Sequence, residues 1–184
     1  MKKNKKKIVV LLLVLLIVLV ITLVINKIEK EKNKKIELGS SIYEKIHNLY
    51  YYGGDLDYKK ENDKYVITNY SIIENIVSNS FISKVNKFLN IEEDNNKYYI
   101  NPIGKGISNY YGTILKIKKI SKNKIEYKAM TKMCKKESIV SYGDRCTSDG
   151  YYEIEKPFII IKEDNKWKVL EYTSIFQFSE RELK

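Results

Sequence analysis

His47 is the single histidine of this chain, so imidazole acid–base chemistry has nowhere else to start. It sits in a helix-like segment with Tyr43 four residues before it, Tyr50 three after it, and Glu44 as the nearest acid. A histidine on the flank of an apolar stripe reads first as a packing residue. If the domain has a pocket, His47, Tyr43 and Tyr127 are the residues to line it. Asp55-Leu56-Asp57 offers two carboxylates, fewer oxygen ligands than calcium requires, and reads as a solvated loop. Gly104-Lys105-Gly106 lacks the spacing of a phosphate loop and follows no strand–helix unit. Asn69-Tyr70-Ser71 fits the N-glycosylation pattern, which matters only on a eukaryotic secretory route. No Gly-x-Ser-x-Gly, His-Glu-x-x-His or Cys-x-x-Cys occurs. From these residues no catalytic side chain, metal site or cofactor is expected.

Cys134 and Cys146 are the only cysteines, with eleven residues between them. Two thiols alone do not make a structural zinc site. They can close a loop, and the polar segment between them carries the turn signal Tyr142-Gly143-Asp144. A disulfide across such a loop contributes about 3 kcal/mol and needs an oxidising compartment. The alternative is a pair of free thiols in the cytosol.

The elements that position these residues begin with Ile8 to Ile25, an unbroken apolar run of 18 residues whose one polar member is Thr22. At about 1.5 Å per residue it spans about 27 Å, close to the hydrocarbon thickness of a bilayer. A cleaved signal peptide would have a shorter apolar core ending in small residues, whereas this run ends Val24-Ile25-Asn26-Lys27. The reading is an uncleaved single-pass anchor. Five lysines precede it and five follow by Lys35, so the count alone does not orient it. The leading lysines are denser and free of acids, which places residues 1–7 in the cytoplasm and the C-terminal domain outside the cell membrane. An inverted, cytoplasm-facing regulator is the alternative.

The formal charge of +11 belongs mostly to these flanks: residues 1–35 hold ten lysines and two glutamates, whereas 36–184 hold 24 Lys/Arg against 21 Asp/Glu. A domain so nearly balanced offers no basic stripe, and no nucleic-acid partner is expected. Lys97-Tyr98-Tyr99 could stack bases, but tyrosine at a strand surface is the simpler reading.

Residues 26–39 read as a charged helical stalk that Gly39-Ser40-Ser41 breaks. Ile42, Ile46, Leu49 and Tyr50 then recur at helical spacing, predicting a helix over 41–52 stopped by Gly53-Gly54. A polar connection covers 55–64, and Tyr65-Val66-Ile67 is short and extended. Ile72, Ile73, Ile76, Val77, Phe81, Ile82, Val85, Phe88 and Leu89 predict an amphipathic helix broken near Ser78-Asn79-Ser80. Glu92–Asn96 reads as a turn. From Lys97 the period becomes two: strands over 97–101, 113–120, 124–134, 151–162 and 166–176, with Pro157 marking a bulge or an edge. Helices first and an antiparallel meander second define an α+β class.

The closing hairpin, Lys156-Pro157-Phe158-Ile159-Ile160-Ile161-Lys162-Glu163-Asp164-Asn165-Lys166-Trp167-Lys168-Val169, following two early helices, resembles the NTF2-like superfamily. The chain is also similar to small single-pass proteins of Gram-positive bacteria with an anchor and a like domain. The resemblance covers roughly 40–178, leaving 179–184 as a tail. It implies two helices packed on a curved antiparallel sheet, an NTF2-like cone, with Trp167, Phe158, Ile160 and Val169 as the hairpin and core signature. Such domains include enzymes, ligand binders and scaffold subunits, so the fold does not choose a function. The enzymes commonly place an Asp-His pair in the cone, which is not visible around His47. The expectation is a membrane-anchored extracytoplasmic binding or scaffold module with an envelope protein partner or a second copy of itself. A pocket for a small molecule or a reaction is the alternative.

Overall fold

The computed structural model describes residues 2–52, 56–100, 110–134, 139–140, 145–146 and 150–173, with backbone alone for 2–11, 51–52, 110–111, 139–140, 145–146 and 151. The chain divides into two compact units, Met1–Leu38 and Gly39–Lys184. Helix α1 spans Lys2–Tyr52. Within the first unit the Leu, Ile and Val side chains from Leu12 to Ile25 are 51–60% exposed, so no protein surface covers them. Thr22 Oγ1 donates to the carbonyl of Val18 at 2.9 Å, returning the run's one polar side chain to its own helix. By length and composition this helix can cross a membrane.

The break expected at Gly39-Ser40-Ser41 is absent, because α1 runs through it. The reason for the glycine is proximity. A Cβ on Gly39 would fall 2.5 Å from Cζ and 2.7 Å from the hydroxyl oxygen of Tyr127. Glycine here lets a tyrosine ring lie on the helix backbone. The helix expected over 41–52 is therefore the last three turns of α1, and Ile42, Tyr43, Ile46, His47, Leu49 and Tyr50 form its buried face. The Gly53-Gly54 stop lies outside the described residues.

The polar connection is more ordered than its composition suggests. Strands β1 (Tyr58–Glu61) and β2 (Lys64–Ile67) form a hairpin, and β3 (Ile91–Asp94) and β4 (Lys97–Ile100) form another. They join as an antiparallel sheet ordered β1-β2-β4-β3. Glu92–Asp94 is thus strand, and only Asn95-Asn96 turns. Both hairpins close on two residues with positive φ, Asn62 and Asp63 (47° and 64°) and Asn95 and Asn96 (51° and 61°). That is type I′ geometry, which matches strand twist and which Asn and Asp tolerate. Asp57 anchors the start of this sheet. Its amide donates to Asn69 Oδ1 at 2.8 Å, and Asn69 Nδ2 returns a bond to its carboxylate at 2.9 Å. Glu61 bridges Lys59 (2.7 Å) and Lys97 (2.9 Å), which hold its carboxyl down at about 2.

The amphipathic stretch splits into α2 (Ser71–Ile76) and α3 (Asn79–Phe88). Between them Val77 is extended and forms a parallel bridge to Val169, and the Ser78 amide donates to the Val169 carbonyl at 2.9 Å. The break therefore caps the β10 edge at one position, Val169. Glu163 accepts the amide of Asn79 at 3.3 Å, placing a carboxylate at the start of α3.

The larger sheet comprises β5 (Tyr110–Ile120), β6 (Lys124–Cys134), β9 (Tyr151–Glu163) and β10 (Lys166–Tyr172) in the order β10-β9-β6-β5, all antiparallel. Between β6 and β9 lies a small hairpin, β7 (Ile139–Val140) with β8 (Arg145–Cys146). Strand β6 buries Ile125, Tyr127, Ala129, Thr131 and Met133 in the alternation its sequence sets out. The β9–β10 turn is again type I′, with Asp164 and Asn165 at φ 51° and 61°. Pro157 lies just past Phe158, the last β9 residue that β10 pairs. On its other side it pairs with Lys128 of β6. The fold is α+β with two antiparallel sheets, the smaller one unexpected. The end of the last strand beyond Thr173 falls outside the described residues.

Candidate functional site

The interior of the second unit is where α1 meets the larger sheet. Phe158, Ile160 and Val169 are fully buried and Tyr127 nearly so. Register explains the cluster: Tyr127 pairs with Phe158, and Ile160 with both Ile125 and Val169, so one face of three strands carries them all. Tyr43 enters from α1, its ring edge-on to Phe158 (5.2 Å between centroids) and to Tyr172 (5.4 Å). Tyr127 lies against Phe158 at 5.6 Å. Trp167 is half-buried and outside this cluster, because it is the second residue of β10, opposite exposed Lys162 and next to the hairpin turn.

Two polar groups sit inside the apolar packing. His47 is 6% exposed, with Nδ1 3.1 Å from the hydroxyl of Tyr172 and its ring stacked on Tyr43 at 6.0 Å. Burial lowers its pKa to about 4, so the imidazole is neutral near pH 7. Thr113 Oγ1 donates to the Tyr43 hydroxyl at 3.3 Å and lies 2.8 Å from Thr131 Oγ1. Burial also pushes the Tyr127 phenol up to about 12 and raises that of Tyr50. The structure thus brings His47, Tyr43 and Tyr127 to one core. It adds Tyr172, Thr113 and Thr131, which the sequence reading did not single out. Thr131 was legible as an inward position of β6. Tyr172 carried no signal except its phase in the last strand.

This arrangement is a packed core with satisfied hydroxyls. Among the described residues no buried side-chain nitrogen or oxygen lacks a partner, and no group of three His, Cys, Asp or Glu side chains could hold a metal. Asp57, the described carboxylate of the Asp-x-Asp pair, is engaged by Asn69. Gly104-Lys105-Gly106 and Tyr142-Gly143-Asp144 lie outside the described residues. Tyr98 stacks on Tyr70 at 3.4 Å, and Lys64 lies 5.1 Å above the Tyr99 ring, so these tyrosines serve the small sheet. Cys134 is buried at the end of β6, and the Cys146 backbone pairs with Ile139, its side chain lying outside the described residues. No model of a known protein family matches the chain, and no curated protein matches it in sequence.

Proposed function

We propose that the chain is a single-pass membrane protein whose residues 8–25 cross the bilayer and whose NTF2-like domain, residues 40–178, acts outside the cell as a non-enzymatic binding or scaffold module. The observation that carries this reading is the 51–60% exposure of every Leu, Ile and Val from Leu12 to Ile25, in a helix whose last turns belong to a folded unit. Such a surface is stable in lipid and costly in water. The filled core supports a module that works through its surface. The rings of Tyr43, Tyr127 and Phe158 occupy the space that a substrate would need. A second reading, a pocket for a small molecule or a reaction, draws on the buried His47–Tyr172 pair and would require those rings to move apart.

The outward orientation draws support from the cysteines. Buried Cys134 and the β7–β8 hairpin that carries Cys146 suit a disulfide, which needs an oxidising compartment. A membrane-impermeant thiol reagent applied to intact cells tests both points. The expected result is no labelling until a reductant is added, then labelling without lysis. Thiols that react without reduction, and only after lysis, would place the domain in the cytoplasm and remove the disulfide.

A further inference from the structure

The near balance of charge in the second unit hides a segregation. Residues 95–125 contain seven lysines and no Asp or Glu, while the rest of 36–184 holds 17 Lys/Arg against 21 Asp/Glu. The expectation of no basic stripe is corrected by where that segment falls. It includes all of β5, the strand at the end of the larger sheet with no neighbour on its outer side among the described residues. Lys116, Lys118, Lys119 and Lys122 are exposed there, and among the described residues none has an acid within ion-pair distance. Glu126, the register partner of Lys119, is ion-paired to Lys124 at 2.9 Å and is influenced by Lys119 and Lys118 only at longer range. A register shift between Ile117 and Lys119 adds an extra residue, Lys118, and sets two lysines side by side.

Two large apolar side chains stand among these lysines. Ile114 is 68% exposed and Ile120 is 44% exposed. Lysines on an edge strand also discourage strand pairing between molecules. That role needs no exposed isoleucine beside them; isoleucines there work against it. Cations interleaved with protruding aliphatic groups suit a surface that is anionic at its headgroups and apolar just beneath.

We infer that the β5 edge, Ile114 to Lys122, docks on an anionic lipid surface. The inference rests on the reading of residues 8–25 as a membrane anchor, since the tether keeps the lipid surface at high local concentration. Each lysine near such a surface favours contact by about fivefold, so four suffice to hold a tethered domain down without making it permanent.

The test uses the full chain in nanodiscs of phosphatidylcholine alone or mixed with phosphatidylglycerol, read by amide hydrogen exchange. Incorporation into the discs reports on the anchor independently of the docking. In mixed discs, exchange across 113–122 is expected to slow by at least about fivefold, the contribution of a single lysine. Peptides from β9 should be unchanged. High salt should abolish the slowing, and so should joint replacement of Lys116, Lys118, Lys119 and Lys122 by glutamine, with β9 protection showing that this variant is folded. Equal exchange in both discs, or equal slowing in both, overturns the proposal while leaving the anchor standing. Equal protection by a soluble polyphosphate added to neutral discs would assign the edge to a polyanion instead. Protection that grows with copies per disc would assign it to a second chain. Either result overturns lipid docking.

Discussion

Gly39 is the position where the reasoning is most exposed to refutation. In a helix interior, Gly→Ala normally gains about 1 kcal/mol, because glycine loses more backbone entropy and alanine is the best helix former. Here the new methyl would meet Tyr127 at 2.5 Å, where ordinary contact begins near 3.4 Å. The ring cannot swing clear, because it is buried against Phe158. Overpacking of this kind costs about 1–3 kcal/mol, so Gly39→Ala should destabilise the second unit by about 1 kcal/mol net. In a Tyr127→Leu background the obstructing ring end is gone, and the same substitution should stabilise by about 1 kcal/mol. The sign reversal, a coupling of about 2 kcal/mol, is the signature. The assay is urea unfolding of the full chain in mild detergent, followed by Trp167 fluorescence, for the four members of the cycle. If Gly39→Ala stabilises the wild type, or shifts both backgrounds equally, the glycine is not there to admit the tyrosine.

Two further outcomes follow from the same core and its turns. The pKa of His47 falls from 6.5 to about 4 on folding, so its contribution is intact above pH 6.5 and is lost as the pH drops toward 4, where only the unfolded chain takes the proton. Between those limits the wild type should lose about 3 kcal/mol more than His47→Gln, and superimposable pH–stability curves would show that the imidazole is not buried as described. Asn165 holds φ at 61°, so Asn165→Val should cost about 1–2 kcal/mol while Asn165→Gly stays near neutral. Equal unfolding midpoints for the two variants would mean that the β9–β10 turn is not type I′.

The larger sheet was legible because its strands alternate over long stretches. Lys124–Cys134 places five inward residues in phase, and a half-buried strand has no other way to satisfy both faces. The smaller sheet was not legible, for two physical reasons. Its strands are four residues each, too short for a period to declare itself. Its turns also use Asn-Asp and Asn-Asn where Asn-Gly would have announced a hairpin. Gly39 was misread for a related reason, since a glycine that breaks a helix and one that admits a neighbour look identical in one dimension. At the core, His47, Tyr43 and Tyr127 were visible as residue types. What joins them, Thr113 across a strand pair and Tyr172 from the last strand, depends on registers that only the folded sheet fixes.

The bridge between Val77 and Val169 has a consequence for assembly. It covers the β10 margin of the larger sheet at one residue, whereas β5 has no strand on its outer side among the described residues. A sheet that can be extended from both sides can polymerise without limit, whereas one with a single free side can meet at most one copy of itself and then stops. The short break between α2 and α3 therefore hinders extension on the β10 side at Val169. Damage there would disturb the fully buried Val77 and Ser78 and would also open the β10 side to pairing.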